Sequence, residues 1–319
     1  MNKKLKILLL IVLAALVLVV IYDYLSTFPG RRSVPSFKYD LKESKIVDEN
    51  LITYSEVKRI ALNHDNIYGF SYKNGKIWLI ADNMLRIISV NGQELLRVEL
   101  DNTPHCIAGT NDHNIIIGFN NYLALYDLNG EELLRSDIIS ESSDFTSVAI
   151  SNDHVFVADA GRKKVLVFDA DLQKTDSFTG ESIVSDHHGF ILPSGYFNLA
   201  VNKENELWVT NPGVLAIQHY AANGRLRRYW GEPSFGLNGF SGCCNPYFIS
   251  FLSDGNFVTS EKGLVRVKIH KPSGEFSSVV AAPKSFPGGK IAPAVTVDEN
   301  DNIWILDFDK KSIRLFEKK

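Results

Sequence analysis

The sequence predicts an all-β chain, a six-bladed β-propeller behind a single N-terminal transmembrane helix. Three observations carry this: an unbroken apolar run at the start, one strand–turn unit recurring six times, and little helical periodicity past residue 60. The 319 residues hold 34 Lys+Arg against 37 Asp+Glu, 45% hydrophobic and 22% charged residues, and a net charge of −3. That balance excludes whole-chain disorder and leaves no electrostatic footprint for nucleic acid. Three cysteines are too few to build a disulfide scaffold.

The first element is the apolar run Ile7 to Tyr22, preceded by Lys3, Lys4 and Lys6. As a helix of about 1.5 Å rise per residue it nearly spans a bilayer core, with Leu5 extending it and Tyr22 and Tyr24 suited to the far interface. The following Asp23-Tyr24-Leu25-Ser26-Thr27-Phe28 contains no small-residue cleavage pattern. Residues 1–24 are therefore expected to form an uncleaved signal anchor with its N-terminus in the cytoplasm, the three lysines setting the orientation. Residues 25–44, with Pro29, Gly30, Arg31, Arg32 and Pro35, are expected to be a linker. Residues 45–319 are expected to be an extracytoplasmic propeller, periplasmic or on the cell surface.

Each repeat is a turn of Asn, Asp, Gly or Glu, a bulky apolar strand, a second strand and another turn. Anchors at Gly75, His113, Asp153, Asn205, Gly255 and Asp301 are spaced by 38, 40, 52, 50 and 46 residues. Three residues after them stand Trp78, Ile116, Phe156, Trp208, Val258 and Trp304. Side chains alternate along a strand, so one bulky position repeated in every copy is expected to pack between neighbouring sheets. The sixth copy ends after three strands, and Val57 to Leu62 is expected to supply the fourth, closing the ring and removing an open edge. A β-sandwich would not explain six copies of one unit.

The strings Val157-Ala158-Asp159-Ala160-Gly161-Arg162-Lys163-Lys164-Val165-Leu166-Val167-Phe168-Asp169 and Asn211-Pro212-Gly213 resemble NHL-repeat propellers over roughly residues 55–319. That resemblance implies the fold and a range of roles: lyases, lactonase-like hydrolases and protein- or ligand-binding scaffolds. A narrower likeness is to membrane-anchored bacterial NHL-repeat proteins, largely uncharacterised. It rests on Pro193-Ser194-Gly195-Tyr196-Phe197, on Gly239 to Pro246 and on Thr259 to Lys268. It carries no catalytic residue with it.

Propeller topology gathers the unusual residues on one face. The segments leading into the innermost strands share a face with the loops between second and third strands. The former hold His105-Cys106, Asp186-His187-His188 with Tyr196, and Cys243-Cys244-Asn245. The latter hold Asp159, Asn211, Glu261-Lys262 and Asp307. Arg266 follows in the next strand, placed to pair with Glu261 or to meet a ligand. Three readings of the cysteines remain open: soft ligands for Zn or Cu, a disulfide such as Cys106 to one of the adjacent pair, or inert packing. Adjacent side chains are expected to point apart, which disfavours Cys243 and Cys244 sharing one metal. Asp82, Asp159 and Asp307 are expected to bind backbone N–H groups of their own loops.

The chain has no G-x-G-x-x-G, Walker loop or G-x-S-x-G elbow. The expected function is therefore binding of a protein or small-molecule ligand on this face, with enzymatic activity undecided. One alternative is a metal-dependent lyase or hydrolase, with a divalent metal held by His105, His187 and His188 in the central channel. Another is an accessory scaffold of a membrane redox complex.

Overall fold

Six antiparallel four-stranded sheets follow one another along the chain in a computed structural model that describes residues 3–27, 44–110, 112–181 and 189–319. The chain divides into two units, Met1–Leu41 and Lys42–Lys319. The first contains helix α1, Lys3–Thr27, 25 residues long and apolar on every face. It is long and apolar enough to cross a membrane, a test that a signal sequence also passes. Most of the expected linker lies outside the described residues.

The second unit is a six-bladed β-propeller. Blade one runs Ile67–Lys73, Lys76–Ala81, Met84–Ser89 and Glu94–Glu99 from the channel outward. Its first two strands join through Asn74-Gly75, both at positive φ (52° and 72°), as a two-residue hairpin requires. Blades two to five repeat the plan from Cys106–Gly109, Phe145–Ile150, Leu199–Val201 and Phe248–Phe251 as innermost strands. Blade six takes Ala294–Val297, Ile303–Asp307 and Ser312–Lys318 from the C-terminus and its outermost strand, Tyr54–Ala61, from the N-terminal side. That pairing closes the ring. Arg314, nearly fully buried, reinforces it by donating to Glu56 at 2.6 Å and to Asp307 at 3.3 Å.

Among the described residues the core forms six apolar clusters, each shared by two adjacent blades. The repeated bulky position does what its recurrence predicts. Trp78, Ile116, Phe156, Trp208, Val258 and Trp304 are all at most 3% exposed, and each lies in the seam toward the following blade. Second strands are buried on both faces, so even those with polar residues are desolvated.

A side chain at the end of the second strand clasps the segment that leads into the same blade's innermost strand. Asp82 accepts from the backbone N–H groups of Asp65 and Asn66, Asp159 from that of Asp144, and Asn211 from that of Ile191. Asp159 also accepts from Arg162 N–H, and Asp307 from Lys310 N–H, in their own loops. For Asp82 the expectation of bonds within its own loop needs correcting. It reaches across to the lead-in, where two adjacent backbone N–H groups donate to its carboxylate.

Candidate functional site

The innermost strands of all six blades line a central channel of about 230 Å³. On its loop-rich face Tyr68, Tyr196 and Phe248 also belong to a second recess of about 420 Å³, with Asp65, Tyr247, Ile291, Phe308 and Lys311. Those three residues line both. A volume of this size suits a small ligand.

Its wall is aromatic and ordered by stacking. The Tyr196 and Tyr247 rings are parallel within 2° at 4.3 Å, and Phe248 meets each edge-on at 5.4 and 5.1 Å. Phe248 also stacks on Phe308 at 6.2 Å. Lys262 Nζ stands 5.1 Å from the Tyr247 ring centroid, a cation–π distance. Burial, then the neighbouring Cys244, pushes the Tyr247 phenol up to about 12, so it stays a neutral donor across ordinary pH. The floor is held by Asn198, which donates to Ser147 Oγ at 3.0 Å and accepts from Ile249 N–H at 2.9 Å, tying three innermost strands together.

The lead-in to blade five supplies the rest. Asn245 closes a two-way clasp with the Lys262 backbone, accepting from its N–H at 2.8 Å and donating to its carbonyl at 3.1 Å. Cys243 and Cys244 precede it, with their sulfurs 3.2 Å apart. This corrects the expectation that neighbouring side chains diverge: that rule holds for an extended strand, and this segment is a bend. Burial alone would raise the Cys244 thiol. Hydrogen bonds from Cys243 and Ser194 and the Lys262 charge outweigh it and hold the thiol below its ordinary value.

Other residues expected at a ligand face are spent internally. Glu261 and Arg266 are fully buried and paired at 2.7 Å, with Lys268 joining Glu261 at 2.9 Å. Asn211 is buried and bonds Gly189 O and Gln218. Cys106 lines the channel and packs into the seam between blades two and three, and it forms no disulfide with the adjacent pair. A Cβ on Gly118 would run into its sulfur, so glycine there leaves the thiol its room. Burial pushes that thiol far up. His105 lines the channel, its Nδ1 3.3 Å from Asp144. His187 and His188 lie outside the described residues. Among the described residues no three His, Cys, Asp or Glu side chains converge as a ligand set.

Sequence reasoning picked out Tyr196, Lys262, Cys243, Cys244 and Asn245 but missed Tyr68, Tyr247, Phe248 and Phe308. The signal for Tyr247 and Phe248 was their place directly after Asn245-Pro246, at the start of an innermost strand.

Fold and site together define a six-bladed β-propeller with an aromatic opening on its loop-rich face. No protein-family model and no curated protein sequence matches the chain. Its fold is similar to that of Staphylococcus aureus virginiamycin B lyase, at 13% identity and a TM-score of 0.57, covering 83% of this chain and 100% of that one. A streptogramin B lyase structure aligns at 14% identity and 0.58, covering 85% and 100%. A Bacteroides thetaiotaomicron protein of unknown function aligns at 14% and 0.59, covering 83% and 72%. At these identities the likeness shows the fold alone.

Proposed function

We propose that this chain is a membrane-anchored extracytoplasmic propeller that binds a ligand through the aromatic opening of its channel. The observation that carries the reading is the stacked Tyr196–Tyr247 wall beside a recess large enough for a small molecule. The chemistry it would recognise is a flat apolar group, stacked on the tyrosines, carrying an anionic group toward Lys262 or Lys311. Lys3, Lys4 and Lys6 at the N-terminal end of α1 support the orientation.

Titrating the full-length chain with 1-anilinonaphthalene-8-sulfonate, a planar aromatic anion, tests the binding. The expected result is one saturable site, weakened by salt and by Tyr196→Ala. Unsaturable fluorescence, or equal affinity in the variant, would count against it. A reporter that is active only outside the cytoplasm, fused after Lys319, tests the placement and is expected to be active.

One observation favours a lyase or hydrolase as a second reading. His105 lines the channel with Asp144 on its Nδ1, the arrangement of an oriented general base.

A further inference from the structure

Cys243 and Cys244 are a feature that the binding reading leaves unused. Their sulfurs lie 3.2 Å apart, within a thiol–thiol hydrogen bond. Cys243 is exposed, while Cys244 is buried beside Ser194 and Lys262. The segment carrying them is pinned on its far side by the Asn245 clasp and on its near side by Ser241 O, which accepts from Asn245 at 2.7 Å. An accessible sulfur, a partner in reach and a cation beside the second are the parts of a thiol–disulfide exchange centre.

We propose that Cys243 and Cys244 form a redox-active vicinal dithiol that exchanges reversibly with small disulfides. Cys243 passes its shared proton to the Cys244 thiolate and attacks the external disulfide. A mixed disulfide forms and one thiolate leaves. Cys244 gives the proton to that leaving thiolate, then attacks Sγ of Cys243, closing an eight-membered ring and expelling the second thiolate. The two protein sulfurs are oxidised, and the external disulfide is reduced to one thiol and one thiolate.

Covalent geometry makes the closed form easy to reverse. Adjacent Cα atoms sit about 3.8 Å apart across a trans peptide, whereas disulfides ordinarily span at least about 4.4 Å. The ring is therefore strained, and strained disulfides are the readily reduced, regulatory kind. Cys106 is a weak competitor: it is buried in blade two, and burial pushes its thiol far up, away from the reactive thiolate.

The test is to incubate the purified, reduced full-length chain with oxidised glutathione, quench with iodoacetamide and measure intact and peptide masses. The expected product has lost two hydrogens and carries no glutathione. Both adjacent cysteines resist alkylation, they are linked within one peptide, and dithiothreitol restores them. Cys244→Ser is expected to trap a stable glutathione adduct on Cys243. Persistence of that adduct in the wild type, unchanged alkylation of both thiols, or a disulfide between two chains would each overturn the proposal.

Discussion

Blade five shows two opposite chemistries on the two faces of one hairpin. Toward blade six, Val258, Val267 and Ile269 pack with Ile303, Ile305 and Phe316 in an apolar cluster. Toward blade four, Glu261, Arg266, Lys268 and His270 stand fully buried beside Trp230, Phe240 and Phe257. The charges there meet backbone. Arg266 donates to Phe235 O at 3.1 Å and Gly236 O at 2.8 Å, and Lys268 donates to Leu237 O and Gly239 O. A strand with alternating charges would ordinarily put them in water. Here the loop before the cysteine pair fills that side, and its carbonyls replace the solvent. The apolar flank holds the ring together. The charged flank grips the loop that delivers Cys243, Cys244 and Tyr247 to the channel mouth.

Breaking the charged flank should have the largest effect. Glu261→Ala leaves Arg266 and Lys268 buried without their carboxylate, and the expected loss is about 3–5 kcal/mol in denaturant unfolding. A loss below about 1 kcal/mol would mean that water reaches this seam.

The pH dependence of stability sharpens the contrast. Burial lowers Lys268 from 10.5 to about 8, against the pull of Glu261. Above pH 8 the folded chain has released a proton that the unfolded chain still holds, so stability rises as pH climbs from 8 toward 10. The expected gain is about 2 kcal/mol. Above 10 the sign reverses: burial has pushed the Tyr54 and Tyr247 phenols up to about 12, so the unfolded state loses its protons first. His270, lowered by burial to about 3, adds an acid limb, with stability falling as pH drops below 6.5. Urea midpoints measured across this range should lose the alkaline rise in Lys268→Met and keep the acid limb.

On the apolar flank Ile269→Val should cost only about 0.5–1.5 kcal/mol, with no pH signature. A pH-dependent loss there would show that the two faces are coupled.

The contrast also marks what could be read from the residues alone. Trp78, Trp208 and Trp304 recur at one offset from a turn, and a recurring bulky residue has one physical reading, the seam between blades. The alternation Arg266-Val267-Lys268-Ile269-His270 has two readings, because period two states which residues share a face but not what covers it. The covering loop, 235–239, lies some 30 residues away in sequence and has no pattern of its own. The same gap hid Tyr247 and Phe248. Tyr196 lies some 50 residues before them, and only the packing of blade four beside blade five brings their side chains together.

The most direct measurement of the central claim is a crystal structure of the full-length chain soaked with 1-anilinonaphthalene-8-sulfonate. The account predicts the naphthalene ring against Tyr196 and Tyr247, with its sulfonate toward Lys262 or Lys311. Occupancy confined to another cavity would contradict it, for example the recess of about 310 Å³ between blades two and three lined by Asp112, Asp153 and His154.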